Sequence, residues 1–484
     1  MERDLLWNNR IINEKEKGKD KMIDIKYNEI KDRNSWIDGN YLNATICVTE
    51  DCNLRCTYCY MVGKNNHNKM NWKTGKEIID FLLDNPYTSE MADSIMLDFI
   101  GGEPLLEMEL IDKMCDYFIL RMYAENHKWF PNYVFTFSTN GVLYGKKNVR
   151  DYVEKHGEHC AFSISIDGTK EKHDMTRKKI DGSGSYDDVI KNLPIYMEEN
   201  YNPSTKSTFS SEDLLYLKDS IIHLWDLGFK DVESNLVYEN VWKQGDAEIF
   251  EQQLKELADY IIENDLYDKY SCTLFDDYIG SCYSEDDLIN TSCGAGKMLA
   301  VDPDGNLYPC MRYYDYSLNN KKGYVIGDID NGVDFEKVRP FGTLMYKYQS
   351  DEECLNCDIA TGCTFCQGFN YDEAETNTNF VRTKYICKMH KARVRANDYY
   401  FSLLLNKKGI DRERKLERKR QMYFLLANDV PSICSYNCGK TVEEMYMSEE
   451  QIMKGLEYCR ENFITPVFVH GRKFDNYNES KKYE

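Results

Sequence analysis

From residue 41 to about 265, short runs rich in β-branched and aromatic residues alternate with longer stretches whose apolar residues recur every three or four positions. This pattern predicts strands near 42–49, 94–100, 133–138, 160–166, 204–209 and 231–237. Helices are predicted near 74–84, 107–126, 145–156, 186–199, 211–227 and 246–265. Six strand–helix units in series predict a parallel sheet, and that count suits a partial (β/α)6 barrel. Thr74 with Glu77, and Ser185 with Asp188, have capping-box spacing at two helix starts. Near residue 270 the alternation gives way to cysteines separated by turns, which marks a boundary. Past residue 396 a charged run, 411–420, predicts a solvated helix, and two short strands, 422–426 and 465–469, flank a helix over 448–462. The expected organisation is a polar segment 1–40, a barrel 41–268, a cysteine-rich domain 269–395 and a small α/β extension 396–484.

Composition narrows the class. The chain of 484 residues is 42% hydrophobic, carries a net charge of −21 and contains 18 cysteines. So negative a chain is a poor match for nucleic acid or an anionic membrane, and neither is expected as a partner. No apolar run reaches membrane-spanning length and Met1–Asp4 has no signal-peptide pattern, so a cytoplasmic location is expected. In that reducing compartment the cysteines point to metal or cluster ligands rather than disulfides. Cys47, Cys115 and Cys160 sit in apolar patterns and are expected to pack. Cys434 and Cys438 form a weak CxxxC hint that stays unassigned.

The main chemical signal is the loop Cys52-Asn53-Leu54-Arg55-Cys56-Thr57-Tyr58-Cys59, directly after the first strand. Three thiolates so close can each ligate one iron of a 4Fe-4S cube, and the fourth iron then lacks a protein ligand. Such an open iron invites chelation by a small molecule. The competing reading is a zinc knuckle, but zinc loops usually pair two CxxC units.

With its aromatic residue before the last cysteine, this loop resembles the signature of the radical S-adenosylmethionine (SAM) enzymes. The resemblance implies that SAM binds the open iron held by Cys52, Cys56 and Cys59, and that its reductive cleavage yields a 5'-deoxyadenosyl radical. Further motifs follow in order: Gly101-Gly102-Glu103-Pro104 after the second strand, Ser138-Thr139-Asn140-Gly141 after the third, Ser163–Gly168 after the fourth, then His173-Asp174-Met175-Thr176-Arg177 and Gly182–Asp187. They resemble the family's GGEP and HDxxR…GxGSF segments. Glu103 is implied to accept from the SAM ammonium, and Arg177 and Ser165 to meet its carboxylate or ribose. Tyr58, Gly101, Gly102, Ser138 and Asn140 complete the expected cofactor contacts. The glycines are expected to let backbone approach the ligand closely.

Downstream, Cys293-x11-Gly305-x4-Cys310, Cys354-x2-Cys357-x5-Cys363-x2-Cys366 and Cys387 resemble the SPASM domain, which carries two auxiliary 4Fe-4S clusters. The implied ligands are Cys293, Cys310 and Cys366, with Cys282 as a possible fourth, and Cys354, Cys357, Cys363 and Cys387 for the other cluster. Cys272 competes with Cys282, and if neither binds the first cluster has an open iron able to hold a substrate thiolate. Two residues rather than three separate Cys363 from Cys366, which departs from the family's spacing. Asp302-Pro303-Asp304-Gly305 reads as a hairpin turn joining Cys293 to Cys310.

The expected function is a radical SAM maturase of a ribosomally made cysteine-rich peptide, installing a thioether, in the manner of CXXX-repeat peptide maturases. A flavodoxin- or ferredoxin-type reductant is the implied electron donor. Peptide epimerisation and formylglycine formation are the alternatives. The second is weakened because Met311, not Asp, follows Cys310. A non-enzymatic iron-sulfur or zinc protein is the alternative of another class.

Overall fold

The computed structural model describes residues 41–62, 67–90, 92–290, 293–414, 416–426 and 447–469. Six parallel strands form its centre: β1 Leu42–Cys47, β2 Ile95–Ile100, β3 Tyr133–Thr139, β4 Cys160–Ser165, β5 Ser204–Phe209 and β6 Asp231–Leu236. They pair in sequence order, and a short β7, Ser271–Cys272, continues the row beyond β6. Strand alternation separates two environments. Leu42, Ala44, Ile46, Ile95, Leu97, Phe99, Phe135, Phe137, Phe162 and Ile164 share one core with the surrounding helices. The intervening residues, including Asn43, Thr45, Asp98, Thr136, Ser138, Ser163 and Ser165, face the lumen. The lumen is thus largely polar, apart from an apolar cluster of Tyr41, Met96 and Val134.

The sheet does not close on itself. β1 pairs on its far side with β8, Leu299–Val301, in parallel register (Ala44 opposite Leu299, Ile46 opposite Val301). β8 then turns through Asp302–Gly305 into β9, Asn306–Tyr308, and β10 (Gly327–Asp328) and β11 (Gly332–Val333) extend the edge. The predicted hairpin is therefore present. Asp302 Oδ1 accepts from the N–H of Asp304 (3.0 Å) and Asn306 (2.9 Å), and Gly305 adopts φ +88. The cysteine-rich domain is thus an extension of the barrel sheet.

Several local expectations change. The first barrel helix, Trp72–Asp84, starts at Asn71, whose side chain accepts from Thr74 N, so the Thr74–Glu77 box does not form. Ser185 makes no cap either; its Oγ donates to the carbonyl of Arg177 (2.7 Å). The stretch 186–199 divides into Tyr186–Ile190 and Leu193–Glu199, because Pro194 lacks an N–H and opens a new helix. Residues 411–420 are not helical in their described part. Arg414 and Arg418 both pair with Asp398 (3.1 and 2.8 Å), and Arg420 pairs with Asp358 (2.5 Å), so the charges anchor an extended segment.

The helix Cys387–Lys408 runs across residue 395 and packs along Asp246–Glu263, where Tyr399 Oη donates to Asp259 (2.8 Å). Beyond it, β12 (Gln421–Leu425) and β13 (Thr465–Val469) pair in parallel around the helix Glu449–Asn462, as predicted. The segment 1–40 and the Cys434/Cys438 pair lie outside the described residues. Among the described residues no helix is long and apolar enough to cross a membrane.

Candidate functional site

The cysteine loop sits at the C-terminal end of β1, where parallel barrels gather their chemistry. It rests directly on the loop after β2. Gly102 N–H donates to Thr49 O (2.8 Å) and Glu103 N–H to Asp51 O (2.9 Å). A Cβ on Gly101 would stand 2.5 Å from the Thr49 carbonyl, and one on Gly102 would fall onto the carbonyl of Asp51. The backbone that these glycines admit is therefore the cysteine loop itself. Gly102→Ala should displace the loop and cost the protein the iron bound there, read as iron per chain after reconstitution, while Gly157→Ala, where the space is open and the backbone helical, should not.

Cys52 is buried, and burial, reinforced by Glu103 and by the nearby Cys56 and Cys59, pushes its thiol up to about 12. Cys52, Cys56 and Cys59 thus lie close enough to act on one another. Glu103 is fully buried and accepts from Thr139 Oγ1 (2.7 Å), Asn140 N (2.8 Å) and Leu105 N (3.1 Å). Burial raises its pKa despite these donors. A carboxylate offers about four acceptor positions, so one remains for a further donor. Asn140 Nδ2 donates to Asn53 (2.7 Å) and reaches Cys52 Sγ at 3.9 Å. Ser138 is exposed to the lumen and Ser165 is half-buried.

Tyr58 is held by a hub that the motifs alone did not reveal. Its hydroxyl donates to Asp167 Oδ2 (2.7 Å) and accepts from Arg177 Nη1 (2.5 Å). Asp167 also accepts from Thr176 (3.1 Å) and from Thr208 N (3.2 Å). Lys172, wholly buried, lies 3.5 Å from Asp167 and 3.3 Å from Asp213. Burial works to raise the Asp167 carboxyl, but Lys172 and Arg177 outweigh it and hold the pKa below the ordinary value. Asp167 N–H donates to His173 Nδ1 (3.3 Å), and with Ser185 Oγ committed to Arg177 O, His173 Nε2 carries the proton shared with Ser185 (3.0 Å). Burial drives His173 down to about 3, so it stays neutral. The same segment zips to the cysteine loop through Arg55 N–H to Lys178 O (2.6 Å) and Thr57 N–H to Thr176 O (2.9 Å). Arg177 thus has Tyr58 and Asp167 as partners, while its Nε is buried without one among the described residues.

Asp98, on the lumen face of β2, is another residue the motifs passed over. Burial pushes its carboxyl up to about 6, resisted by hydrogen bonds from Thr136 (2.8 Å) and Thr45 (3.5 Å) and by the charge of Lys206. With Ser138, Ser163 and Ser204 it lines a cavity of about 430 Å³. Because its folded pKa lies above the unfolded one, Asp98 costs stability as pH rises through that interval. Asp98→Asn should therefore raise the melting temperature at pH 8 and leave it nearly unchanged at pH 4. The gain should be on the order of 1 kcal/mol, since the residue is only half-buried and solvent screens it.

Two further cysteine groups converge in the C-terminal part. Cys293, Cys310 and Cys366 act electrostatically on one another, with burial raising Cys293 to about 11 and Cys310 higher. Cys354, Cys357, Cys363 and Cys387 line one cavity of about 330 Å³, beside Arg382. Cys282 is tied through its N–H to Glu417 O (2.7 Å), whereas Cys272 is buried in β7 opposite Val232. Cys47 and Cys115 are fully buried, as expected of packing residues.

The donor sets fit iron-sulfur cubes better than zinc. Four thiolates at about 2.3 Å from one zinc would lie roughly 4 Å apart. Among the described residues no three cysteine sulfurs lie within 4.8 Å of one another. Corners of a cube, each carrying one thiolate, tolerate that wider spacing.

An open parallel barrel with three cysteines after β1, a glycine-glycine-glutamate loop beneath them and a fixed tyrosine between them defines a radical SAM enzyme. Residues 46–210 match the family described as the Radical SAM superfamily. The C-terminal part is cysteine-rich and carries its two cysteine groups on an extension of the same sheet. Among similar proteins is an uncharacterised protein of Methanocaldococcus jannaschii, 29% identical over 54% of this chain and 82% of its own length. A cysteine-type anaerobic sulfatase-maturating enzyme of Clostridium perfringens is 22% identical over 74% of this chain and 96% of its own. A serine-type counterpart from Bacteroides thetaiotaomicron is 22% identical over 64% and 78%. The solved structure described as native anSMEcpe with bound AdoMet and Kp18Cys peptide superposes with a TM-score of 0.56 at 19% identity, covering 76% of this chain and all of that one. It shows the shared fold. SAM and 4Fe-4S clusters are the cofactors of this enzyme class, and the residues here fit them.

Proposed function

We propose that the protein is a peptide maturase that joins a cysteine thiol to a carbon of a ribosomally made, cysteine-rich peptide. The observation that carries this reading is the open barrel flanked by a cysteine-rich part with two cysteine groups, together with relatives named as cysteine-type and serine-type anaerobic sulfatase-maturating enzymes. When bound, SAM and the cluster held by Cys52, Cys56 and Cys59 supply a 5'-deoxyadenosyl radical able to take a hydrogen atom from the peptide. The chain's own task is positioning. Glu103 offers its remaining acceptor site to the SAM ammonium. Tyr58, clamped by Asp167 and Arg177, presents a fixed aromatic side chain between Cys56 and Cys59, which would help hold the cluster. Cys293, Cys310 and Cys366 would hold one auxiliary cluster, with Cys282 as a candidate fourth ligand, and Cys354, Cys357, Cys363 and Cys387 the other. A flavodoxin- or ferredoxin-type protein would supply electrons.

Formylglycine formation is the second reading, favoured by the sulfatase-maturating relatives. Against it, Met311 stands directly after Cys310, where that group carries an Asp as its base. One experiment separates the two. Reconstituted enzyme, SAM, a strong reductant and the cysteine-rich peptide encoded beside the gene are incubated without oxygen. A peptide two hydrogens lighter, with one thiol fewer to alkylate and no reactivity toward hydrazide, supports thioether formation. Hydrazide-reactive product indicates formylglycine, and deuterium uptake at unchanged bonding indicates an epimerase.

A further inference from the structure

Arg312 has no part in the chemistry described above, yet it stands where the barrel rim meets the first auxiliary cysteine group. Its guanidinium lies over the ring of Tyr60, 4.5 Å from the centroid, and Tyr60 follows Cys59. Tyr60 Oη donates to Met311 Sδ (3.0 Å), which anchors the ring at its hydroxyl end. Arg312 Nη2 pairs with Glu239 (2.9 Å), just past the C-terminal end of β6, and the guanidinium charge also acts on Cys366. Behind it, Gly368 leaves room for the backbone: a Cβ there would come 2.5 Å from Arg312 Cβ. The side chain is therefore held from several directions and is only 15% exposed.

Its donors are not all used. Arg312 Nε is buried with no acceptor among the described residues, and Glu239 is the one carboxylate paired with it there. A guanidinium presents five N–H groups in a rigid fork that matches a carboxylate, and it does not lose its charge at any ordinary pH. Leaving the Nε of such a group buried and unpaired is costly unless an anion completes it.

We propose that Arg312 is a specificity-determining residue that binds a carboxylate of the peptide substrate at the barrel rim, with Glu239 occupying part of the fork until the substrate arrives. This rests on the peptide-maturase reading. The carboxylate is that of an Asp or Glu side chain, or the peptide's own C-terminus.

The test uses full-length, cluster-reconstituted, SAM-loaded protein and two pools of fluorescent pentapeptides, acetyl-X-X-Cys-X-X ending in an amide or in a free acid, with bound peptides sequenced. The wild type should enrich Asp or Glu about tenfold over Asn and Gln at one X position of the amide pool. Preference for the free-acid pool regardless of X would assign the anion to the C-terminus. Arg312→Gln should bring enrichment to within about twofold, and Arg312→Lys should keep part of it. Glu239→Gln should sharpen it, because the fork loses its internal competitor, an effect that a purely structural pair would not give. No acidic or free-acid preference in the wild type, or preference retained in Arg312→Gln with normal iron content, overturns the proposal. So does a change in iron content or cluster potential in Arg312→Gln with the Glu239→Gln profile unaltered. Deoxyadenosine release by the wild type is read separately, so failure of the radical reading is distinguishable from failure of this one.

Discussion

Replacing Cys52, Cys56 and Cys59 together with Ala should abolish 5'-deoxyadenosine formation and remove about a third of the reconstituted iron, one four-iron cluster of three. The physical reason is local. Cys52 is buried against Glu103 and its two partner cysteines, and its thiol is pushed up to about 12 without metal. Iron must displace those protons, so the same loop should load more readily at pH 8.5 than at pH 7. The control is Cys115, fully buried on a barrel helix with its Sγ 3.2 Å from Tyr152 Oη. Cys115→Ala should leave iron and deoxyadenosine intact and cost about 1 kcal/mol of stability. Iron content by colorimetry and deoxyadenosine by chromatography give both answers on one preparation. Full activity in the triple variant would end the radical reading.

Lys172→Met should be the most damaging single change away from the cysteines. Lys172 is buried between Asp167 and Asp213, and its ammonium also donates to the carbonyl of Thr208. Removing one partner of a buried ion pair costs about 3–5 kcal/mol, because the remaining charge is left unpaired. The pH dependence fixes the cause. With Lys172 present, Asp167 titrates below its unfolded value and contributes stability above that value, lost only in acid. Without Lys172, burial dominates at both carboxyls and their pKa values rise, so ionising them on going from pH 5 to pH 8 costs stability. The melting-temperature gap between Lys172→Met and wild type should therefore widen with rising pH. Since Asp167 also orients Tyr58, the variant should bind SAM more weakly even where it stays folded. A gap independent of pH would mean that packing, not charge, carries the effect.

The order of βα units was legible because alternation and helical periodicity are local, and β1 to β6 fall where the apolar runs predict them. The cysteine loop was legible because a cluster needs thiols at short spacing on one loop. Other readings failed for tertiary reasons. Ser185 has cap spacing, but its hydroxyl serves Arg177 and His173, which the fold brings closer than its own helix N–H groups. The charged run 411–420 has helix-like composition, but Asp398 and Asp358 draw its arginines into an extended path.

By itself the sequence determined the strand–helix series and the three-cysteine loop. Each of these is written in spacing along one stretch of chain. Only the tertiary structure decided that β8 pairs with β1 and makes the cysteine-rich domain part of the barrel sheet. It alone decided that Gly101 and Gly102 admit the cysteine loop, that Lys172 and Asp213 support Tyr58, and that Arg312 meets Tyr60 and Glu239 at the rim. Those relations join residues dozens to hundreds of positions apart. A buried charge or a close backbone contact is set by what the fold packs against it, and no local pattern records that.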